Sequence, residues 1–168
     1  MNAMQDAAAT PDYGQALLKA YEDEVTGVTY FAELGNRYGD PRARRALDLI
    51  SELETVTAAA LRPLLDRHGI ACRDTELLYE LGRAEARAQE EESWPEFVAF
   101  MQRDYPAYVE TFRDLERAAS HEDLPALELL TSHEIAIVAF ANLEASGVES
   151  SEAPLLAFLR AESTVGAS

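Results

Sequence analysis

The sequence predicts an all-α fold built on four long helices, and three observations carry that expectation. Good helix formers (Ala, Leu, Glu and Arg) dominate the 168 residues, and only eight glycines and seven prolines interrupt them. Several of those interruptions fall where a helix would start or stop. No stretch alternates apolar and polar residues with period two over a strand's length.

The elements follow in order. A first helix is expected over 11–38, with Thr10 as N-cap and Pro11 at the first helical position, where its missing N–H costs nothing. Asp40-Pro41 repeats the device after Gly39 and opens a second helix over 41–68, which Gly69 ends behind His68. The connection 69–94 is long, but its 75–92 part reads as helix and can cross the bundle as a strut. Ser93-Trp94-Pro95-Glu96 is a capping box for a third helix over 95–119. Pro106, deep inside that helix, removes a backbone hydrogen bond and predicts a kink. A fourth helix over 123–146 starts after Ser120 to Asp123, with Leu124-Pro125, and stops at Gly147. Ser151 ahead of Pro154 starts a short last helix over 152–162. The turns at 39–40 and 120–122 are too short for anything but antiparallel neighbours, so two hairpins joined by one long crossover are expected. Residues 11–163 form one domain in this reading, with flexible tails over 1–10 and 164–168.

Charge narrows the function classes. Acidic residues number 31 against 14 basic ones, a net charge of −17. Such a surface repels nucleic-acid phosphates and anionic lipid headgroups, so neither nucleic acid nor membrane is expected as a partner. The longest uncharged run with real hydrophobicity, 135–143, is well short of the roughly 20 residues a membrane helix needs. Residues 1–9 carry no Lys or Arg and no apolar core, unlike a signal peptide. The single cysteine, Cys72, excludes an intramolecular disulfide and suits a reducing cytoplasm.

Acids fall where the core should be. At roughly 100° per residue, the first helix turns Leu17, Tyr21, Val25, Val28 and Phe31 inward, and Glu24 lies inside that stripe. The second turns in Ala43, Leu47, Ile50, Leu61 and Leu64, with Glu54 and Thr57 among them. The third turns in Val98, Met101, Tyr105, Tyr108, Phe112 and Leu115, leaving Glu110 outside. The fourth turns in Leu127, Leu130, Ile137, Val138 and Ala141, with Glu134 inside. Glu24 and Glu54 are each about 15 residues from the 39–40 turn and so lie at one height, and a similar count places Glu134 opposite Tyr108. Three ionised carboxylates do not coexist unpaired in a low-dielectric core. No Lys or Arg enters the four inner stripes, so the open alternatives are a bound metal ion, protonation, or hydrogen bonds from Thr57, Tyr105 and Tyr108.

The segments EDEVTGVTYFAEL, ISELETVTAAAL and HEIAIVAFANLE on the first, second and fourth helices resemble the ferritin-like superfamily, particularly its rubrerythrin and bacterioferritin branches. The resemblance spans 11 to about 146 and implies a ferritin-like four-helix bundle. Its di-metal members use a Glu, an E-x-x-H, a Glu and a second E-x-x-H on the four helices. Carried over, Glu24, Glu54 and Glu134 match three ligands, while Thr57 and Ile137 stand at the two histidine positions and Tyr108 at the third-helix glutamate. The resemblance therefore implies a degenerate carboxylate centre of Glu24, Glu54 and Glu134, lined by Thr57 and Tyr108. It would hold one divalent ion (Fe, Mn or Mg) or none, without standard di-iron oxidase activity.

The remaining candidates are weaker. His133 projects about 100° from Glu134, at the border of the stripe, and reads as a residue supporting a ligand or an interface rather than a ligand. His68 and His121 read as helix-end and turn residues. Neither G-x-G-x-x-G, a Walker loop, G-x-S-x-G nor H-E-x-x-H is present. The competing function is a non-enzymatic helical scaffold, a homodimer or a binder of a basic partner, with a vestigial core site.

Overall fold

The computed structural model describes residues 12–165, and the described chain is all-helical. The Thr10-Pro11 cap and the 1–10 tail lie outside the described residues, as do 166–168 of the expected C-terminal tail. Seven helical segments follow one another among the described residues: α1 Tyr13–Arg37, α2 Pro41–Arg67, α3 Thr75–Ala88, α4 Trp94–Asp104, α5 Pro106–Ala118, α6 Leu124–Ala145 and α7 Ala153–Val165.

The expected punctuation is visible as hydrogen bonds. The Asp40 side chain accepts from Arg42 N–H at 2.9 Å ahead of Pro41. At the start of α4 the Glu96 carboxylate accepts from both the backbone N–H of Ser93, at 2.8 Å, and its hydroxyl, at 2.6 Å. Gly69 and Gly147 take φ values of 64° and 71°, the left-handed conformation that terminates α2 and α6. Ile70 N–H then reaches back to the Leu65 carbonyl at 2.9 Å, and Val148 N–H to Leu143 at 3.1 Å.

Two caps differ from expectation because their side chains are used across the fold. Asp123 does not cap α6. It is fully buried and receives Tyr13 OH at 2.8 Å, Arg67 Nη1 at 2.5 Å and His68 Nε2 at 2.6 Å, which ties together the ends of α1, α2 and α6. Ser151 donates to Glu144 at 2.5 Å, and Glu144 also receives Arg42 and Trp94, so the opposite ends of α2, α4 and α6 are tied in the same way.

α1 packs on α2, α6 on both α2 and the α4–α5 pair, α7 on α2 and α6, and α5 only lightly on α1. The two latches set the directions: the end of α2 meets the start of α6, and the start of α2 meets the end of α6. The crossover helix α3 runs alongside α1. Leu78, Gly82 and Ala86, spaced four residues apart, form its buried face. At Gly82 the approach is so close that a Cβ would stand 2.2 Å from the Thr26 carbonyl oxygen and 2.4 Å from Thr29 Oγ1.

Pro106 breaks the third expected helix into α4 and α5 at Tyr105. Tyr108 N–H turns to the Tyr105 carbonyl at 2.9 Å, and the inward face shifts. Val109 is buried in place of Tyr108, which is 48% exposed. α6 is apolar on nearly every side and is long and apolar enough by composition to span a membrane, with half of that stretch buried inside this fold.

Candidate metal centre in the core

The buried apolar side chains form two separate clusters. One holds Leu17, Tyr21, Val25, Ala58, Leu61 and Leu130 with their neighbours, and the other holds Phe31, Leu53, Met101, Ile137 and Phe140 with theirs. The gap falls between residues 25 and 31 of α1, 53 and 58 of α2, and 130 and 136 of α6. Glu24, Glu54, Thr57, His133 and Glu134 lie at this level, all buried. A polar layer thus divides the core.

Helix geometry and small neighbours hold the layer in place. Glu54 lies over Gly27 of α1, where a Cβ would stand 2.8 Å from Glu54 Oε2, so the missing side chain provides the room. The Thr57 hydroxyl bonds Glu24 Oε2 and lies 3.0 Å and 3.1 Å from the carbonyls of Leu53 and Glu54 in its own helix. Glu24 is therefore oriented by Thr57. His133 Nδ1 bonds the Leu130 carbonyl. A carbonyl only accepts, so Nδ1 carries a proton, and Nε2 is the ring atom turned toward the carboxylates.

Nε2 lies 3.3 Å from Glu24 Oε2, 3.7 Å from Glu54 Oε1 and 3.8 Å from Glu134 Oε2. The tightest set is Glu24, Glu54 and His133, whose donor atoms all lie within 4.8 Å of one another, and Glu134 flanks it. Such separations are those of neighbouring donors around a first-row ion, whose bonds to N and O run at about 2.0–2.2 Å. His133 Nε2 and Glu134 Oε1 are buried without any hydrogen-bond partner. Orphaned buried polar atoms are uncommon in folded proteins and point to a missing ion, ligand or proton.

The electrostatics agree. Burial is the main cause that pushes all three carboxyls up. Glu24 rises well above the usual carboxylate range, with the Glu54 charge adding to the effect. Glu54 rises to about 8 and Glu134 to about 7, the latter restrained by the charge of His133. Without a cation the layer holds protons at neutral pH.

A cleft of about 510 Å³ leads from the surface to this layer between α1, α3 and the α4–α5 break. Glu24, Glu54 and Glu134 line it together with Tyr105 and Tyr108. By sequence, Glu24 and Glu54 stand at one height, Glu134 stands opposite Tyr108 and Thr57 lies in the inner stripe; in the structure Glu24, Glu54, Thr57 and Glu134 are all buried. Sequence reasoning expected Tyr108 inside the core, whereas the ring sits at the half-exposed mouth, edge-on to Tyr105 and stacked on Phe112. It also set His133 at the border of the core, and the structure moves it to the centre with no exposed surface. The signal for His133 was present in the composition of α6, because a helix apolar on nearly every side buries two adjacent positions instead of one.

The residues do not fit a pair of ions. Ile137 is fully buried and apolar, Thr57 is engaged by Glu24 and its own backbone, and Tyr108 is at the cleft mouth. They do fit one. No protein-family model matches the chain, and no curated protein or solved structure is significantly similar to it.

Proposed function

We propose that this chain is a divergent ferritin-like four-helix-bundle protein whose core holds a single divalent transition-metal ion. Glu24, Glu54 and His133 are its protein ligands, and Glu134 lies beside them. The observation that carries the reading is His133 Nε2, buried, without a hydrogen-bond partner and facing carboxylates from three directions. A nitrogen donor among the oxygens favours Mn or Fe and disfavours Mg, which prefers oxygen alone and keeps its waters. The three expected oxygen ligands thus become two plus a nitrogen, with the third carboxylate on the flank.

The chain's own residues do the positioning. The Leu130 carbonyl fixes the His133 ring and Thr57 fixes Glu24, the outer contacts that set ligand orientation in metal sites. The two apolar clusters exclude water on the sides away from the cleft. A bound ion would supply Lewis-acid or one-electron chemistry at the cleft. The positions that would complete a di-metal oxidase centre are Thr57, Tyr108 and Ile137, so such activity is not part of the proposal.

Elemental analysis of protein purified without a metal-affinity column tests this reading. Near-stoichiometric Mn or Fe, one ion per chain, supports it. Two ions per chain, or no uptake of any first-row ion on incubation, contradicts it.

A further inference from the structure

One seam of the bundle is not closed. α5 packs on α6 but only lightly on α1, and the open groove between α1 and α5 has a volume of about 800 Å³. Small side chains leave the space: Ala16 and Ala20 of α1 and Ala118 of α5 line it. Tyr13 donates to Asp123, just beyond the end of α5, so the start of α1 meets the end of α5. The groove therefore has Tyr13 at one end and Tyr108 with Phe112 at the other. It follows α1 from Tyr13 to Asp23, about 15 Å at the helical rise.

Charge is balanced there. The whole chain carries 31 acids against 14 bases. The groove has two of each, and they neutralise one another in pairs, Lys19 with Asp23 and Arg117 with Asp114. A ligand ion of either sign would leave water without meeting a free counter-charge. The polar groups left over are neutral. The Gln15 amide and the Tyr108 hydroxyl are exposed, and neither makes a hydrogen bond to another described residue. The Thr111 hydroxyl returns to the Ala107 carbonyl of its own helix at 3.1 Å. None of Glu24, Glu54, His133 and Glu134 lines the groove.

We propose that the α1–α5 groove binds an uncharged, elongated polycyclic molecule with an oxygen at each end, its flat body on the alanines and Phe112 and its oxygens on Gln15 and Tyr108. A flat apolar body matches the alanine-lined middle and the aromatic end, and neutral hydroxyl or carbonyl ends match an amide and a phenol. The volume, about 800 Å³, suits two or three rings. This goes beyond the single-ion reading and does not depend on it, because no residue of the ion site takes part.

The para,para′-diol, dicarboxylate and bis(aminomethyl) derivatives of biphenyl share one body and differ in charge, so they isolate the decisive property. Binding of each to the full chain is measured by calorimetry at pH 7 in chelator, which keeps the result separate from that of the ion. The diol is expected to bind at least ~10-fold more tightly than either charged analogue. Ala118→Trp, at an exposed position, fills the groove and should weaken the diol by at least ~10-fold while the melting curve stays as in the wild type. Gln15→Ala should weaken it by about 3-fold. Ala99→Trp, exposed on α4 and away from the groove, is the control and should leave binding unchanged. A charged analogue that binds as tightly as the diol, diol binding that survives Ala118→Trp, or no binding by any of the three overturns the proposal. So does sedimentation of the wild type as a dimer that Ala118→Trp dissociates, which would assign the groove to a second copy of the chain.

Discussion

His133 Nε2 stands 3.3 Å from Glu24 Oε2 across the core, while Nδ1 of the same ring is held by the carbonyl of Leu130. One edge of the imidazole is thus tied to its own helix and the other is turned toward acids of α1 and α2. A ring packed there only to fill space would be served equally well by an apolar side chain. Under the proposed single-ion reading, His133 is the residue on which binding depends.

His133→Gln retains polarity and approximate size but removes the ring nitrogen. Metal affinity, followed by Mn²⁺ or Co²⁺ titration, should fall by more than ~10-fold. The melting curve in chelator should remain cooperative. Unchanged affinity would show that the ring is not a ligand.

Stability of the metal-free protein should fall as pH rises. Glu24, Glu54 and Glu134 have folded values raised above the 4.5 of an ordinary glutamate, with Glu54 at about 8 and Glu134 at about 7. Between pH 4.5 and 8 the folded state therefore holds more protons than the unfolded one, and the slope of stability against pH is negative. The contribution of these groups is complete below the lower limit and lost through the upper one. Urea unfolding in chelator across this range measures it, and a rise in stability over the same window would contradict the account. Ion affinity should run the opposite way and increase with pH, because the ligands must release protons to bind.

Asp123→Asn should destabilise by about 2–3 kcal/mol, read as a fall in Tm of about 5–10 °C. Burial alone would raise the Asp123 carboxyl, but hydrogen bonds from His68 and Tyr13, with the charges of His68 and Arg67, hold it below the usual range. Its contribution is present above the unfolded value and lost as pH falls through the folded one. The variant should therefore lose part of the wild type's sensitivity to acid below about pH 4.

Gly82→Ala places a methyl group 2.2 Å from the Thr26 carbonyl, and backbone on both sides has little freedom to yield. A loss of about 1–3 kcal/mol is expected, measured by thermal melting. Gly39→Ala meets nothing within 4 Å and serves as the control, with a change within about 0.5 kcal/mol.

The helices were legible because their signals are local. Asp40-Pro41, the Ser93–Glu96 box, Gly69 and Gly147 each act within one turn of the backbone. The shared height of Glu24 and Glu54 was also legible, since constant rise per residue lets equal distances from a tight turn be counted. Tyr108 was misplaced because a single helical phase was carried through Pro106, and the proline resets the phase. His133 was set too far out for a related reason. A narrow inward stripe was assumed for α6, whereas that helix is enclosed by α2, α4, α5 and α7 and buries neighbouring residues on a wide arc. The latch at Asp123 left no trace in the sequence because it joins the ends of three helices distant along the chain.

The central claim is a single ion on Glu24, Glu54 and His133, and the most direct measurement is melting of wild-type and Glu54→Gln protein in chelator and with saturating Mn²⁺. At 100 times the dissociation constant, binding adds about 2.7 kcal/mol, a rise in wild-type Tm of about 5–10 °C, and most of that rise should vanish in the variant. A wild-type melt that ignores Mn²⁺ and Fe²⁺, or a variant that responds as the wild type does, would contradict the account.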